Sequence, residues 1–300
     1  QLSQLGYFDA AKLGIQPIPH PEDGTVYIEY TVEEKPSDQI ELSGGWGGFI
    51  GFVGTLGLVF NNFSTKNITN LKAWKPLPSG DGQKLAVRFQ ASGRQYQTYS
   101  ISFTEPWLGG KKPVTFGINL SHTVYRTVDY SNYYTRSNSS SLNFLGSYKN
   151  TGVTISLGKR LKIPDRYFVL STALSYQRYR MDSLDLFSIG YPNGVSNNLT
   201  LNLTLSRKTI DNPQFPRGGS SFSLSGTFTP PYSAITGQTS FSNNENRYKW
   251  VEYHKWMFDA SWFQTVAGKL VLSTRAHLGF LGRYNKNLSI SCLLYTSRRG

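Results

Sequence analysis

The sequence has 300 residues, of which 38% are hydrophobic and 14% aromatic, and its formal net charge is +13. It contains no run of about 18 apolar residues, which excludes membrane-spanning helices. Its single cysteine, Cys292, excludes an internal disulfide and a zinc site built from several thiolates. The basic residues are scattered, with no run longer than a pair and no recognisable binding module, so we predict no nucleic-acid partner. A positively lined lumen or anionic lipid headgroups would account for the charge as well.

Residues 1–36 form a unit that differs from the rest of the chain. Leu2 and Leu5 lie on one face of a predicted helix end that Gly6 stops. Two short strands follow, at 15–18 and 26–32, joined by a turn rich in Pro, Asp and Gly. A helix end and a hairpin cannot bury a core of their own, so this unit is predicted to be the tail of a larger domain, closed by a polar linker that ends at Pro36.

From residue 37 to residue 291 the chain gives almost only strand signals. In 198–208, four leucines at odd positions alternate with Thr, Asn, Thr and Ser, which is the period of a strand with one apolar face. At 92–95, Ser-Gly-Arg-Gln predicts a tight hairpin turn. The predicted strands are 38–46, 51–62, 84–92, 96–107, 114–126, 147–158, 167–179, 198–208, 219–230, 248–264 and 270–282.

The connections between these strands favour a membrane barrel. Short turns, such as 92–95 and 107–113, alternate with long polar loops at 127–146, 180–197 and 231–247, a pattern typical of outer-membrane barrels. A soluble β-sandwich also alternates, but its outer faces commonly carry charge, whereas the polar faces here are mostly Ser, Thr, Asn and Gly. The predicted fold is therefore all-β, a transmembrane antiparallel β-barrel. A soluble sandwich that serves as a binding module remains the alternative.

The predicted barrel is incomplete. Eleven strands is an odd number, whereas bacterial single-chain barrels close with even numbers. After Ser291 the sequence Cys-Leu-Leu-Tyr-Thr-Ser fits no strand and is one translation of a transposon sequencing adapter. We therefore predict that residues 292–300 are a non-native tail.

Several short motifs resemble one known family. They are LGYF at 5–8, VEEKP at 32–36, NNF at 61–63, TEPWLGG at 104–110 and NPQFPRGG at 212–219. Together they resemble the BamA outer-membrane assembly family over essentially 1–291, in a style similar to its Bacteroidota members. The marker residues are Thr104, Glu105, Pro106, Trp107, Asn212, Pro213, Phe215, Pro216 and Gly218.

The resemblance implies an architecture and a function. Residues 1–36 would be the C-terminal part of the last POTRA domain with its linker, in the periplasm, and 37–291 the first eleven of sixteen barrel strands. The protein would insert β-barrel proteins into the bacterial outer membrane without enzymatic chemistry or a cofactor. Its partners would be outer-membrane lipid or lipopolysaccharide, unfolded client proteins and accessory lipoproteins. Arg217-Gly218-Gly219 does not match the family's Val-Arg-Gly-Phe/Tyr lid-loop motif, which belongs beyond this sequence.

The first barrel strand is the predicted functional site. A Gly-rich strand packs few side chains and loses more backbone entropy when it is ordered, so it is expected to form a weak seam at which client strands can pair. The alternative is that the glycines only allow a bend. The predicted client-pairing edge comprises Gln39, Ile40, Glu41, Leu42, Ser43, Gly44 and Gly45.

No catalytic constellation is found, and no metal site is predicted. The four histidines, at 20, 122, 254 and 277, lie on different predicted elements. Gly44 to Gly48 is not followed by the helix that a phosphate-binding loop needs. The alternatives within the barrel reading are a two-partner secretion pore, a TamA-like translocation factor, the barrel of a patatin-like phospholipase fusion and a plain porin.

Overall fold

The computed structural model describes residues 12, 14–20, 22, 24–33, 38–47, 51–74, 77–93, 95–110, 113–128, 144–183, 193–212, 214–237 and 249–284. The predicted helix end at 1–6 and the predicted tail at 292–300 lie outside these residues. The strands are β1 (Gly14–His20), β2 (Thr25–Thr31), β3 (Gln39–Gly47), β4 (Gly51–Phe63), β5 (Gln83–Ser92), β6 (Tyr96–Glu105), β7 (Val114–Val128), β8 (Phe144–Arg160), β9 (Phe168–Asp182), β10 (Gly194–Lys208), β11 (Gly218–Phe228), β12 (His254–Ala267) and β13 (Leu270–Gly282).

The helical elements within the described residues are short. Three 3-10 turns span Lys66–Thr69, Leu71–Ala73 and Leu108–Gly110, and one α-helix, α1, spans Tyr232–Thr236. None of the described helices is long and apolar enough to cross a membrane.

The N-terminal hairpin forms as predicted. β1 and β2 pair antiparallel from Gly14 opposite Thr31 to His20 opposite Thr25. Gly24 has a φ of +63°, a left-handed conformation that glycine adopts without a steric penalty. The hairpin is a separate two-stranded sheet.

β3 to β13 form one antiparallel sheet of eleven strands, each hydrogen-bonded to the next in sequence. All eleven predicted strands are confirmed, with boundaries that differ by a few residues. The largest difference is at β12, which begins at His254 and not at residue 248. The preceding residues pair with β10 instead, because Asn197 N donates to the Lys249 carbonyl (2.8 Å) and Val251 N donates to the Asn197 carbonyl (3.1 Å).

Strand register gives the sheet one apolar face and one polar face. Residues directly opposite each other across strands share a face. One row of such residues is apolar over eight strands, and the row beside it contains only polar, charged and glycine residues. The first row is Ile40, Leu58, Val87, Ile101, Leu120, Val153, Tyr176 and Leu199, and the second is Glu41, Gly57, Arg88, Ser100, Ser121, Gly152, Gln177 and Asn198.

The burial of side chains is the reverse of that in a soluble domain. The buried apolar residues of the described chain are Val59, Ala86, Ala91, Val124, Met181 and Tyr253, whereas most large apolar side chains of the sheet are well exposed. A soluble protein rarely exposes a continuous apolar surface of this extent, whereas the outer wall of a membrane barrel must. The membrane reading is therefore favoured over the soluble sandwich.

From β6 onward, short connections at one rim of the sheet alternate with long loops at the other, as predicted. The connections that leave β4, β6, β8, β10 and β12 lie at one rim, here the lower rim, and the others lie at the upper rim. The tight turn at 92–95 therefore shares the upper rim with the long loops, and the long connection after β4 lies at the lower rim. These two connections are exceptions to the alternation, because successive connections lie at opposite rims in strand order whatever their length.

A buried polar cluster closes part of the upper rim. Ser233 at the start of α1 donates its backbone N–H and its hydroxyl to the Glu252 carboxylate, which is 4% exposed. Beside it, the Thr229 hydroxyl bonds both the carbonyl and the N–H of Tyr253, at 3.0 and 2.7 Å. These contacts hold together the two ends of the connection between β11 and β12.

Candidate strand-pairing edge

β3 is an edge of the sheet. It pairs with β4 along all nine of its residues, and the structure describes no strand on its other side. All seven residues of the predicted client-pairing edge lie on it. Gln39, Glu41, Ser43 and Gly45 are on the polar face, and Ile40, Leu42 and Gly44 on the apolar face. Ile40 is 77% exposed and Leu42 is 80% exposed because nothing described covers them from the free side.

The glycines near this edge make room for an aromatic ring. Gly44 lies opposite Gly54, and the Phe52 ring lies over both. A Cβ at Gly44 would be 3.2 Å from that ring, and a Cβ at Gly54 would be 2.8 Å from both the ring and the Ser43 carbonyl oxygen. Around Gly45, no described atom beyond its chain neighbours lies within 4 Å of the Cβ position. Packing therefore explains Gly44 and Gly54 but leaves Gly45 unexplained.

An ion pair links the edge strand to β5 across β4. Arg88 donates from Nε and Nη2 to the two oxygens of Glu41, at 3.0 and 2.9 Å. Between them lies Gly57, where a Cβ would be 2.8 Å from Glu41 Oε2, so a side chain there would displace the pair. Arg88 was not predicted from the sequence because the two partners are 47 residues apart and meet only through strand register.

The TEPW marker forms a hydrogen-bonded corner at the lower rim. Thr104 lies opposite Lys84 and Gly117 within the sheet. Glu105 accepts from Gln83 Nε2 at 2.7 Å and from the backbone N–H of Trp107 at 3.0 Å. β6 ends at Glu105, before Pro106, which has no N–H to continue the ladder. These residues fix the exit of β6 and do not approach the β3 edge.

The second marker is a turn organised by one carboxylate, that of Asp211, and one carboxamide, that of Asn212. Asn212 Oδ1 accepts from the N–H of Gln214 and Phe215. The backbone N–H groups of Asn212, Arg217 and Gly218 donate to the Asp211 carboxylate and hold its pKa below the usual value. Pro213 lies outside the described residues, Pro216 is half-buried and Phe215 is exposed.

The position in this turn that requires glycine is 219, directly after the last marker residue. Gly219 has a φ of +101°, and a Cβ there would be 2.3 Å from the Thr209 carbonyl oxygen. Gly218, by contrast, has none of the described non-neighbouring atoms within 4 Å of its Cβ position. The Gly-Gly pair was a visible signal, but only the structure tells which of the two is constrained.

The histidines and the other possible metal ligands do not cluster within the described residues. Within the described residues no group of three or more His, Cys, Asp or Glu side chains could hold a metal ion. His122 bonds the Thr151 hydroxyl at 2.8 Å, and His277 bonds Asp259 at 2.5 Å. Each of these two histidines thus has a hydrogen-bond partner on a neighbouring strand.

Comparison with known families identifies the sheet. The sequence model of the Omp85 superfamily domain matches residues 79–295, more than half of the chain. The chain belongs to the Omp85 superfamily. Barrels of this superfamily are bacterial outer-membrane proteins of insertion or translocation systems. The eleven-stranded sheet is accordingly part of an Omp85 barrel, one that the described strands do not close. The edge strand β3 lies outside the matched residues.

Solved structures share this fold over about half their length. BamA from Haemophilus ducreyi lacking POTRA domains 1–3 is similar with a TM-score of 0.54 and 16% identity, covering 94% of this chain and 48% of the other. CdiB from Escherichia coli is similar with a TM-score of 0.56 and 13% identity, again covering 94% and 48%. At these identities the likeness is one of fold. A search of the curated proteins found no match.

Proposed function

We propose that this chain is the first part of the barrel of a BamA-type insertion factor, in which the free edge of β3 pairs with strands of client outer-membrane proteins. The observation that supports the proposal most directly is the edge itself. Among the described strands, β3 is hydrogen-bonded to β4 alone, and it presents exposed Ile40 and Leu42 on the apolar face. No enzymatic step is involved.

Strand pairing would supply both the binding energy for the client strand and its orientation in the membrane. In lipid, each unpaired backbone N–H or C=O group costs several kcal/mol. A client strand that pairs with β3 would remove this cost, because it would form hydrogen bonds with those groups. The apolar row that runs from Ile40 to Leu199 would continue onto the client, so its apolar side chains would meet lipid. The client strand would thus enter the membrane with its apolar face already oriented toward lipid and its polar face toward the barrel interior.

The remaining parts of the proposal follow the family architecture. The β1–β2 hairpin would belong to the last POTRA domain, with the lower rim toward the periplasm, where short turns of outer-membrane barrels lie. Unfolded clients and accessory lipoproteins would approach from that side. Outer-membrane lipid and lipopolysaccharide would surround the apolar face.

Site-specific crosslinking tests the pairing. In full-length protein from which other cysteines have been removed, Leu42→Cys is expected to form disulfides with cysteines placed in the last strand of a client during assembly. Ile101→Cys, on the same apolar row but within the sheet, is the matched control and is expected to form none. Efficient assembly without any client crosslink at Leu42 would contradict the proposal.

The similarity to CdiB supports a second candidate, a secretion pore of two-partner type. Depletion of the full-length protein separates the two. An insertion factor is expected to leave many outer-membrane proteins unassembled, whereas a secretion pore is expected to affect one exported partner and leave the other barrels intact.

A further inference from the structure

A groove lies on the apolar face where β11, β12 and β13 run side by side. Its floor is formed by Ala260 and Ala276, which lie directly opposite each other, and its walls are Phe222, Phe258 and Trp262. Small side chains between large aromatic ones leave a depression of about 510 Å³. Because this face is the lipid-facing wall of an outer-membrane barrel, the groove opens toward acyl chains and not toward water.

A cation stands at one end of this groove. Arg207 lies on the apolar face, opposite Phe168 on β9 and Phe222 on β11. Its Nη1 is 3.5 Å from the hydroxyl of Ser220, which also lines the groove. The guanidinium lies 5.8 Å from the ring centroids of Tyr167 and Phe168. Arginine among tyrosine and phenylalanine rings at a strand end is typical of the headgroup level of a membrane.

The surroundings of Arg207 are strongly basic. Its Nε donates to Asp165 at 2.8 Å, which engages one side of the guanidinium. Against this one carboxylate, residues 159–168 and 207–208 carry an excess of cations. Lys159 and Arg207 lie on the apolar face by register and Lys162 and Arg166 lie in the turn, whereas Arg160 and Lys208 lie on the polar face. Ile163 and Tyr167 are exposed beside them, so the same turn offers charge and apolar surface together.

We propose that this is a phospholipid-binding site, with one acyl chain in the groove over Ala260 and Ala276 and the phosphate at Arg207. The groove would accommodate the acyl chain, and the basic turn would bind the anionic headgroup. Ser220 connects the two parts of the site, because it lines the groove and lies within 3.5 Å of Arg207. Binding at this site depends on the membrane location of the barrel and not on client pairing at β3. Lipid bound here would anchor the lower rim at the headgroup level.

Lipid retention by the full-length protein tests the site. Protein extracted in a mild detergent is expected to hold one phospholipid by native mass spectrometry and to exchange it for added phosphatidylglycerol. Ala276→Phe fills the groove and is expected to weaken that binding about tenfold, the effect of burying roughly two fewer methylenes. Thr172→Phe, on the same face but outside the groove, is expected to change nothing.

Two further variants separate the phosphate contact from the ion pair. Arg207→Gln is expected to weaken binding, whereas Asp165→Asn, which also breaks the ion pair but keeps the cation, is expected to preserve it. If Ala276→Phe fails to fold, this pair of variants decides the question. Retention of lipid A in place of phospholipid, displacement by inorganic phosphate alone, or equal binding by wild type and Arg207→Gln would overturn the proposal. Crosslinking at Leu42 reports on client pairing independently.

Discussion

The glycines of β3 and β4 differ in the room around them. Gly54 is confined by the Phe52 ring and by the backbone carbonyl of Ser43, so a side chain there would push the edge strand away from β4. Gly45 is unconfined and contributes only backbone freedom. The prediction of a weak, Gly-rich first strand therefore concerns Gly45 more directly than Gly44, whose space is filled by an aromatic ring.

Alanine substitution at these two positions is expected to have opposite effects. Gly54→Ala must displace backbone and is expected to destabilise by about 1–3 kcal/mol, the usual cost of overpacking. Gly45→Ala is expected to stabilise by about 0.4–1 kcal/mol, because it reduces the freedom of the unfolded chain without a clash. Urea unfolding of the full-length protein in lipid measures both. A destabilising Gly45→Ala would show that the open space beside this glycine is used by something outside the described residues.

At the scale of the element, β3 is held by its ladder with β4 and, beyond β4, by the ion pair between Glu41 and Arg88. The Glu41–Arg88 pair spans three strands and is half-exposed on the polar face, so it adds little to the stability of the whole sheet. Its position is what matters. It joins the edge strand to the body of the sheet at the residues proposed to meet a client, and so it resists fraying of β3 and slippage of its register.

Loss of this pair is expected to loosen β3 selectively. Glu41→Gln and Arg88→Gln should each raise the hydrogen-exchange rate of β3 amides, with a smaller effect than Gly54→Ala and none on the central strands β7 to β9. The double swap Glu41→Arg with Arg88→Glu should restore protection because it recreates the pair. Failure of the swap to restore protection would show that the two residues act separately.

At the scale of the whole molecule, the sheet is defined by its two faces. Leu120 belongs to the apolar row and neighbouring Asn119 to the polar face, in the middle of the same strand. The same residue type introduced at these adjacent positions therefore meets lipid in one case and the barrel interior in the other.

Arginine at the two positions is expected to separate the faces. Leu120→Arg should destabilise the barrel by about 2–4 kcal/mol, the cost of a cation on the lipid face near the midplane, whereas Asn119→Arg should be close to neutral. Unfolding of the full-length protein in lipid vesicles measures the difference. Equal effects would contradict the assignment of the apolar face to lipid.

The sequence by itself determined the number of strands, their approximate bounds and which side chains share a face. These follow from period-two alternation, a local property that each strand displays on its own. The membership of the BamA-like superfamily was also visible in the markers at 104–107 and 212–218, although the similarity to Bacteroidota members and the POTRA assignment stay predictions.

Only the tertiary structure decided which residues meet. The link from Glu41 to Arg88, the confinement of Gly219 by Thr209, the pairing of Asn197 with 249–251 and the groove over Ala260 and Ala276 all depend on which residue lies opposite which. That choice is the strand register, and shifting it by one residue moves a whole strand to the other face. Register results from the packing of all strands at once, so no single stretch of the sequence carries it.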